Sequence, residues 1–335
     1  MPRAIGVIGA GGWGTALAKL LAEKGHDVTV WCHGEDSFRA IVEARENHIY
    51  LPGVALPANL KASRSLAETA AGKAALFLAV PSHTVRAVMT GAAPHVGAGS
   101  ILACATKGID AEKLAPMGEV LEEIFGPQGT ARHAFLSGPT FALEVARGQP
   151  AAVTVAALDE EVGKEVQEML STPNFRVYTS RDVVGVQMGG VVKNVIAIAA
   201  GISDGLGLGL NARAALVTRG LAEMTRLAVK MGGAPPTLSG LPGLGDLILT
   251  ATGDLSRNRG VGIKIAAGKT LAEIESGTRM VAEGIKNSRS VYLLARKLGV
   301  EMPIVEQMHL VLYEGKKPLE AVKDLMGRSL KAEHA

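Results

Sequence analysis

Short apolar runs alternate with helical patterns through the first half of the chain. Ala4–Ile8 is a small-to-branched apolar run that predicts a strand. Behind it, Leu17, Leu20 and Leu21 share one face of a helix predicted over residues 13–24, and Gly25 stands where a C-terminal cap belongs. The next strand is predicted at 28–31, and similar runs follow at 74–80, 101–105, 134–136, 151–156 and 175–178. Val162, Val166 and Leu170 recur at helical spacing between the last two. Strands that are apolar on both faces and alternate with helices predict an α/β architecture with a parallel, doubly wound sheet.

After Asp182 the pattern changes. Strand-like runs nearly vanish, and helical periodicities take over at 183–202, 212–231, 270–275 and 288–298, punctuated by Gly and Pro at 205–209, 235–236 and 240–245. At 335 residues the chain exceeds what a single core usually holds. The expected organisation is an N-terminal α/β domain over residues 1–182 and an all-helical C-terminal domain over 183–335. No internal repeat is evident.

Composition narrows the class. Hydrophobic residues make up 47% and charged residues 20%, a globular balance with material for two cores and no long single-signed polar stretch. The net charge is only +3, without a Lys/Arg run, so neither nucleic acid nor a membrane surface is expected as a partner. Cys32 and Cys104 lie in or beside apolar segments and read as small buried hydrophobes in a reducing compartment. A strand pattern that begins by Ala4 leaves no room for a signal peptide, which points to a cytoplasmic location. The longest apolar tract, 183–202, is interrupted by Gln187, Lys193 and Asn194, so no membrane span is expected.

Gly9-Ala10-Gly11-Gly12-Trp13-Gly14 satisfies G-x-G-x-x-G. The string alone is weak, but here it follows a strand, opens a helix and begins a βαβ unit, which is the context of a Rossmann dinucleotide-binding loop. Gly9 permits the tight turn, Gly11 lets the backbone approach a pyrophosphate, and Gly14 lets the helix pack close to the strand. An acid after the second strand would take the ribose 2′-hydroxyl of NAD. That place holds Cys32 and His33, with Glu35 and Asp36 slightly too late, so both NADPH and NADH stay open. Other residues at predicted strand ends are Pro81-Ser82-His83, Thr106-Lys107-Gly108 and Ser137-Gly138-Pro139-Thr140. Ser82 and Thr140 each suit a helix cap, but four such clusters on one rim suggest a site.

Lys193 and Asn194 fall in the middle of an otherwise apolar helix, a place where lysine is almost never fully buried unless paired. Gly189, Gly190 and Ala197, one turn away, are expected to leave open space for a substrate beside the ammonium. A lysine snorkelling out of a packed interface is the alternative reading. Gly240-Leu241-Pro242-Gly243-Leu244-Gly245-Asp246 delivers one carboxylate, a candidate partner for Lys193. Ser256-Arg257-Asn258-Arg259-Gly260 sets a hydroxyl, an amide and two guanidiniums at a predicted helix start. This suits a phosphate oxyanion, and a capped helix with solvated arginines is the plainer alternative.

Taken together, these motifs closely resemble the bacterial NAD(P)-dependent glycerol-3-phosphate dehydrogenases. The resemblance covers most of the chain in ordered blocks: GAGGWGTALA at 9–18, VPSH at 80–83, TKG at 106–108 and SGPTFALEVA at 137–146. GGVVKNVIAIAAGISDG at 189–205, NARAALVTRGLAEM at 211–224, GLGDLILT at 243–250 and SRNRG at 256–260 complete it. The resemblance implies interconversion of dihydroxyacetone phosphate and sn-glycerol 3-phosphate with NADPH or NADH and no metal, supplying glycerol phosphate for phospholipid synthesis. It places the general acid/base at Lys193, with Asp246 and Lys107 beside it. Substrate contacts fall on Lys107, Gly138, Thr140, Lys193, Asp246, Ser256, Arg257 and Asn258. Cofactor contacts fall on Gly12, Trp13, His33, Lys107, Ala142, Arg257, Val281 and Glu283, beside Gly9, Gly11 and Gly14. Gly12 stands where the family often carries serine, and the segment around Val281 and Glu283 fits loosely. A β-hydroxyacid or 6-phosphogluconate type dehydrogenase and a non-enzymatic cofactor-binding protein are the rival readings. The apolar helices of the second half leave a homodimer open.

Overall fold

The structure, a computed structural model, describes residues 1–130, 132–277, 282–330, 332 and 333. Its strands are β1 (Ala4–Ile8), β2 (Asp27–Trp31), β3 (Lys61–Ser63), β4 (Ala75–Leu78), β5 (Ile101–Cys104), β6 (Ile109–Asp110), β7 (Ala115–Pro116), β8 (His133–Ser137), β9 (Ala151–Ala157) and β10 (Phe175–Ser180). Eight of them form one sheet in the order β10-β9-β8-β5-β4-β1-β2-β3, and β6 and β7 make a small hairpin apart from it. From β1 the chain runs outward to β2 and β3, then returns to β4 on the other side of β1. The strand order therefore reverses between β1 and β4, where open α/β sheets form their ligand crevice.

The sheet is mixed, and this corrects the all-parallel expectation. β8 and β9 pair antiparallel, whereas every other pair in the sheet is parallel. Between β8 and β9 lie only a loop and the five-residue helix Ala142–Ala146, which packs on the helix Gly12–Glu23 rather than crossing back over the sheet. A parallel return needs a longer crossover. The short edge strand β3 and the β6–β7 hairpin carry no apolar run and escaped sequence reading.

Alternation along the strands fills a core on each side of the sheet. Ile5, Val7, Val30 and Phe77 pack on one face with Leu17 and Leu21, while Ile8, Trp31, Leu76 and Leu78 pack on the other. Both cysteines are free and buried, and burial pushes their thiols up, Cys32 to about 11 and Cys104 to about 12.

Two residues after β10 ends, the helix Val183–Gly205 begins. Asp182 launches it: one carboxylate oxygen accepts from Gly185 N at 2.7 Å and the other from Ala234 N at 2.9 Å. By length and hydropathy this helix would suffice to cross a membrane, yet 83% of its most apolar window is buried inside the protein. Around it pack Gly209–Lys230, Asp246–Thr252, Arg257–Ala266, Glu283–Leu298 and Pro303–Tyr313. No strand occurs after Ser180 among the described residues. Three glycines allow backbone-to-backbone contact here: a Cβ at Gly189 would lie 2.4 Å from Pro242 O, at Gly201 2.0 Å from Arg259 O, and at Gly262 2.1 Å from Ile198 O.

Candidate active site

The glycine loop lies between β1 and the helix Gly12–Glu23, at the point where the strand order reverses. Gly9 takes φ +116°, which favours glycine, and a Cβ on Gly14 would fall 1.8 Å from Gly9 O. At Gly11 an added Cβ would meet nothing within 4 Å, so the loop presents open backbone there. This is the cradle a pyrophosphate requires, and the residues present fit a dinucleotide. At Gly12 a Cβ would sit 2.8 Å from Tyr50 O, so a side chain there would have to displace the Tyr50 backbone. Trp13, Ala142 and Leu143 pack together with Ala16, Leu51, Val54 and Ala146 beside the loop. His33 follows β2, with its ring 5.7 Å from that of Trp31. Val281 lies outside the described residues.

Three elements converge beyond the sheet. Lys193 comes from the middle of Val183–Gly205, Lys107 from the loop after β5, and Asp246 from the first turn of Asp246–Thr252, where a helix N-terminus favours a carboxylate. Lys193 Nζ donates to Asp246 Oδ1 at 2.6 Å and to Thr250 Oγ1 at 2.7 Å. Lys107 Nζ donates to the other oxygen, Asp246 Oδ2, also at 2.6 Å, and to Gly138 O at 3.2 Å. The carboxylate is only 1% exposed and Lys193 7%. Burial draws the Lys193 ammonium down to about 8; Asp246 opposes that shift, while the nearby Lys107 and Arg257 charges add to it. For Asp246 burial alone would push the carboxyl up. The Lys107 and Lys193 charges, with their hydrogen bonds, outweigh it and hold the group below its ordinary value.

The small residues around Lys193 do not leave open space, contrary to the sequence reading. Pro242 O fills the place beside Gly189, while Ser137 Oγ and Lys107 Cγ fill the place beside Gly190. These glycines let the loops carrying Asp246 and Lys107 approach the helix. Asn194 faces a different network: its Oδ1 accepts from Asn258 Nδ2 at 2.8 Å, and Asn258 Oδ1 accepts from Gly284 N at 3.0 Å.

Ser256 caps its helix, accepting from Arg259 N at 3.2 Å, which occupies an oxygen lone pair and not the hydroxyl proton. Arg259 turns away to Asp204 and Asp254. Arg257 is near enough for its charge to act on Lys193; burial of its own guanidinium pulls that group below its ordinary value, against the charge of Glu283. Gly138 has φ +148°, and a Cβ there would lie 2.9 Å from Val153 Cα. Thr140 Oγ1 donates to Gly138 O at 3.1 Å and caps no helix; Ser82 likewise serves another purpose. Ser82 N and Oγ donate to the Glu283 carboxylate at 2.9 and 2.6 Å, tying the loop after β4 to the helix Glu283–Leu298.

Sequence reading missed two residues of this assembly. Thr250 lies one helical turn after Asp246, a spacing that would have revealed it. The buried Asn287 donates to Lys107 O at 3.2 Å and Val191 O at 3.4 Å, and no local pattern marks it.

A family model described as the NAD-dependent glycerol-3-phosphate dehydrogenase N-terminus matches residues 4–163, and one for the C-terminus of the same family matches 182–323. The chain belongs to the NAD-dependent glycerol-3-phosphate dehydrogenases. A curated glycerol-3-phosphate dehydrogenase [NAD(P)+] of Syntrophotalea carbinolica is 55% identical over 329 residues, 98% of this chain and 99% of that one. The corresponding protein of Citrifermentans bemidjiense is 55% identical over 333 residues, 99% of each chain. Among solved structures, the glycerol-3-phosphate dehydrogenase of Coxiella burnetii superposes with a TM-score of 0.93 at 40% identity, covering 98% of this chain and 99% of that one.

Proposed function

We propose that this protein interconverts dihydroxyacetone phosphate and sn-glycerol 3-phosphate with NADPH or NADH, and that Lys193 carries the proton. The observation that supports it is a lysine, buried and drawn down to about 8, sharing one carboxylate with a second lysine beside a dinucleotide loop. That loop would hold the pyrophosphate of a nicotinamide dinucleotide, which would supply the hydride when bound. Gly9, Gly11, Gly12, Trp13 and Gly14 would hold its pyrophosphate end, with His33 toward the adenosine and Ala142 and Glu283 lining the path.

In the direction of reduction, the Lys193 ammonium gives a proton to the C2 oxygen as negative charge develops there. Two of its three N–H groups are engaged by Asp246 and Thr250 among the described residues, which leaves the third for that oxygen. Asp246 orients the ammonium, and Lys107 adds positive charge beside the same oxygen. Gly138 and Thr140 shape the wall next to Lys107. Arg257, Ser256 and Asn258 anchor the substrate phosphate and fix C2 in place. Lys193 recovers its proton from solvent once product leaves.

Residues 1–182 would serve the nucleotide and 183–335 the substrate. Burial of the apolar helix Val183–Gly205 in the core supports an enzyme without a membrane span, and a cytoplasmic location and the supply of glycerol phosphate for phospholipid synthesis belong to the same proposal. A homodimer belongs to the same proposal. Exposed Leu208, Leu210, Ile248 and Leu255 give the helical half apolar surface for a second copy.

The test is the loss of reduced-nicotinamide absorbance on adding dihydroxyacetone phosphate, with NADH and NADPH in parallel. Turnover is expected. Silence with both nucleotides would overturn the reading and turn attention to β-hydroxyacids.

A further inference from the structure

The loop after β2 decides how the adenosine ribose is read. Cys32 occupies the place of the usual carboxylate, and it is fully buried with its thiol pushed up to about 11 by burial. It offers a ribose neither charge nor an exposed atom. The nearest acid, Glu35, has both oxygens taken: Oε1 accepts from Arg39 Nε at 2.9 Å and Oε2 from Arg64 Nη1. These two guanidiniums hold the Glu35 carboxyl below its ordinary value.

Arg64 arrives from the neighbouring strand. Trp31 pairs with Ser63 in the β2–β3 register, and Cys32 N donates to Ser63 O at 2.8 Å, so Arg64 comes level with the β2 loop. Trp31 Nε1 donates to Arg64 O at 3.0 Å, fixing the backbone there. The guanidinium then reaches back across the loop, donating to His33 O at 3.3 Å as well as to Glu35. Its side chain stays half exposed, with N–H groups to spare. Gly34 carries no side chain over this face.

We propose that Arg64, with His33 beside it, reads the 2′-phosphate of the adenosine ribose, and that this protein prefers NADPH to NADH. The proposal rests on the dehydrogenase reading above and adds the residue that follows β3 to the cofactor site. A phosphate dianion competes well with a single carboxylate for a guanidinium, because it brings more charge and a matching bidentate edge. Glu35 holds Arg64 in place between ligands and yields it when the 2′-phosphate enters.

The probes are adenosine 2′,5′-bisphosphate and 5′-AMP, which differ only in the 2′-phosphate, titrated calorimetrically into the full-length protein. The parent is expected to bind the bisphosphate more tightly. Arg64→Ala should shrink that gap by roughly 10- to 100-fold, the scale of a charge-assisted pair, and Arg64→Lys should restore part of it. The ratio of kcat/KM for NADPH over NADH should fall in parallel. A gap that Arg64→Ala leaves intact would overturn the proposal, as would equal weakening of both probes, which would make Arg64 a prop for the loop. If dihydroxyacetone phosphate is not turned over with either nucleotide, the functional reading fails, while the two probes still report on Arg64.

Discussion

Lys193 Nζ and Asp246 Oδ1 meet at 2.6 Å in a place almost closed to water, and the carboxylate's other oxygen is held at the same distance by Lys107. One anion thus orients two cations from opposite halves of the chain. If Lys193 is the proton donor, Lys193→Ala should lose roughly 10²–10⁴ in turnover while still binding nucleotide, the usual scale for a missing general acid. Stopped-flow turnover and nucleotide fluorescence check the two halves of that statement. Near-normal turnover would remove Lys193 from the chemistry.

The same pair sets a pH dependence. Reduction needs the protonated lysine, so its rate should fall as pH rises through about 8, and the reverse oxidation should rise over the same interval. Asp246 favours the charged lysine, so Asp246→Asn should move both limbs to lower pH. A limb near the ordinary lysine value of about 10.4 would mean that Lys193 titrates as a solvated group.

Arg257 lies near enough to Lys193 for its charge to act there. Arg257→Ala should therefore damage recognition of the phosphate more than the chemistry. The measurement is kcat/KM for dihydroxyacetone phosphate against dihydroxyacetone, and the preference should collapse by roughly 10-fold or more. If it survives, the phosphate is held elsewhere.

The glycines of the central helix carry a packing prediction. A methyl group at Gly201 would fall 2.0 Å from Arg259 O, so Gly201→Ala must push the helix Arg257–Ala266 away. Overpacking of this kind costs about 1–3 kcal/mol, visible as a lower Tm. Displacing Asn258 and Arg257 should also raise KM for the phosphorylated substrate. An unchanged Tm would show that the two helices separate freely.

Glu223 predicts how stability varies with pH. Its buried carboxylate accepts from Ile304 N at 2.7 Å and Val305 N at 3.2 Å, at the start of Pro303–Tyr313. Burial pushes it up to about 7 against the pull of those hydrogen bonds. The folded state therefore holds a proton that the unfolded chain releases near pH 4.3. The associated stability is complete below that pH and is lost as pH rises through about 7. Glu223→Gln should flatten this part of a Tm–pH curve, and an unaltered slope would assign it to other groups.

Much of the site was legible because its residues break local rules. A lysine in an apolar helix, a carboxylate after a glycine-rich turn and a glycine loop after a strand each contradict what packing alone would choose. The structure brings Lys193 and Asp246 together as those anomalies suggested, and Lys107, which only the family resemblance put beside them, joins the same carboxylate. What stayed hidden obeys the rules locally. Asn287 is an unremarked polar residue in a helix until Lys107 O arrives from 180 positions away. Arg64 follows a three-residue edge strand with no apolar run to announce it. The reversal of β9 against β8 depends on where the intervening helix docks, and apolar runs carry no direction.

Two ammoniums facing one carboxylate, with Arg257 nearby, leave the pocket with more positive than negative charge even when Glu283 is counted. A phosphorylated substrate therefore meets an attractive field as well as a shape. Small oxyanions of similar charge should compete for the same field, so inorganic phosphate and sulfate are expected to raise KM for the substrate.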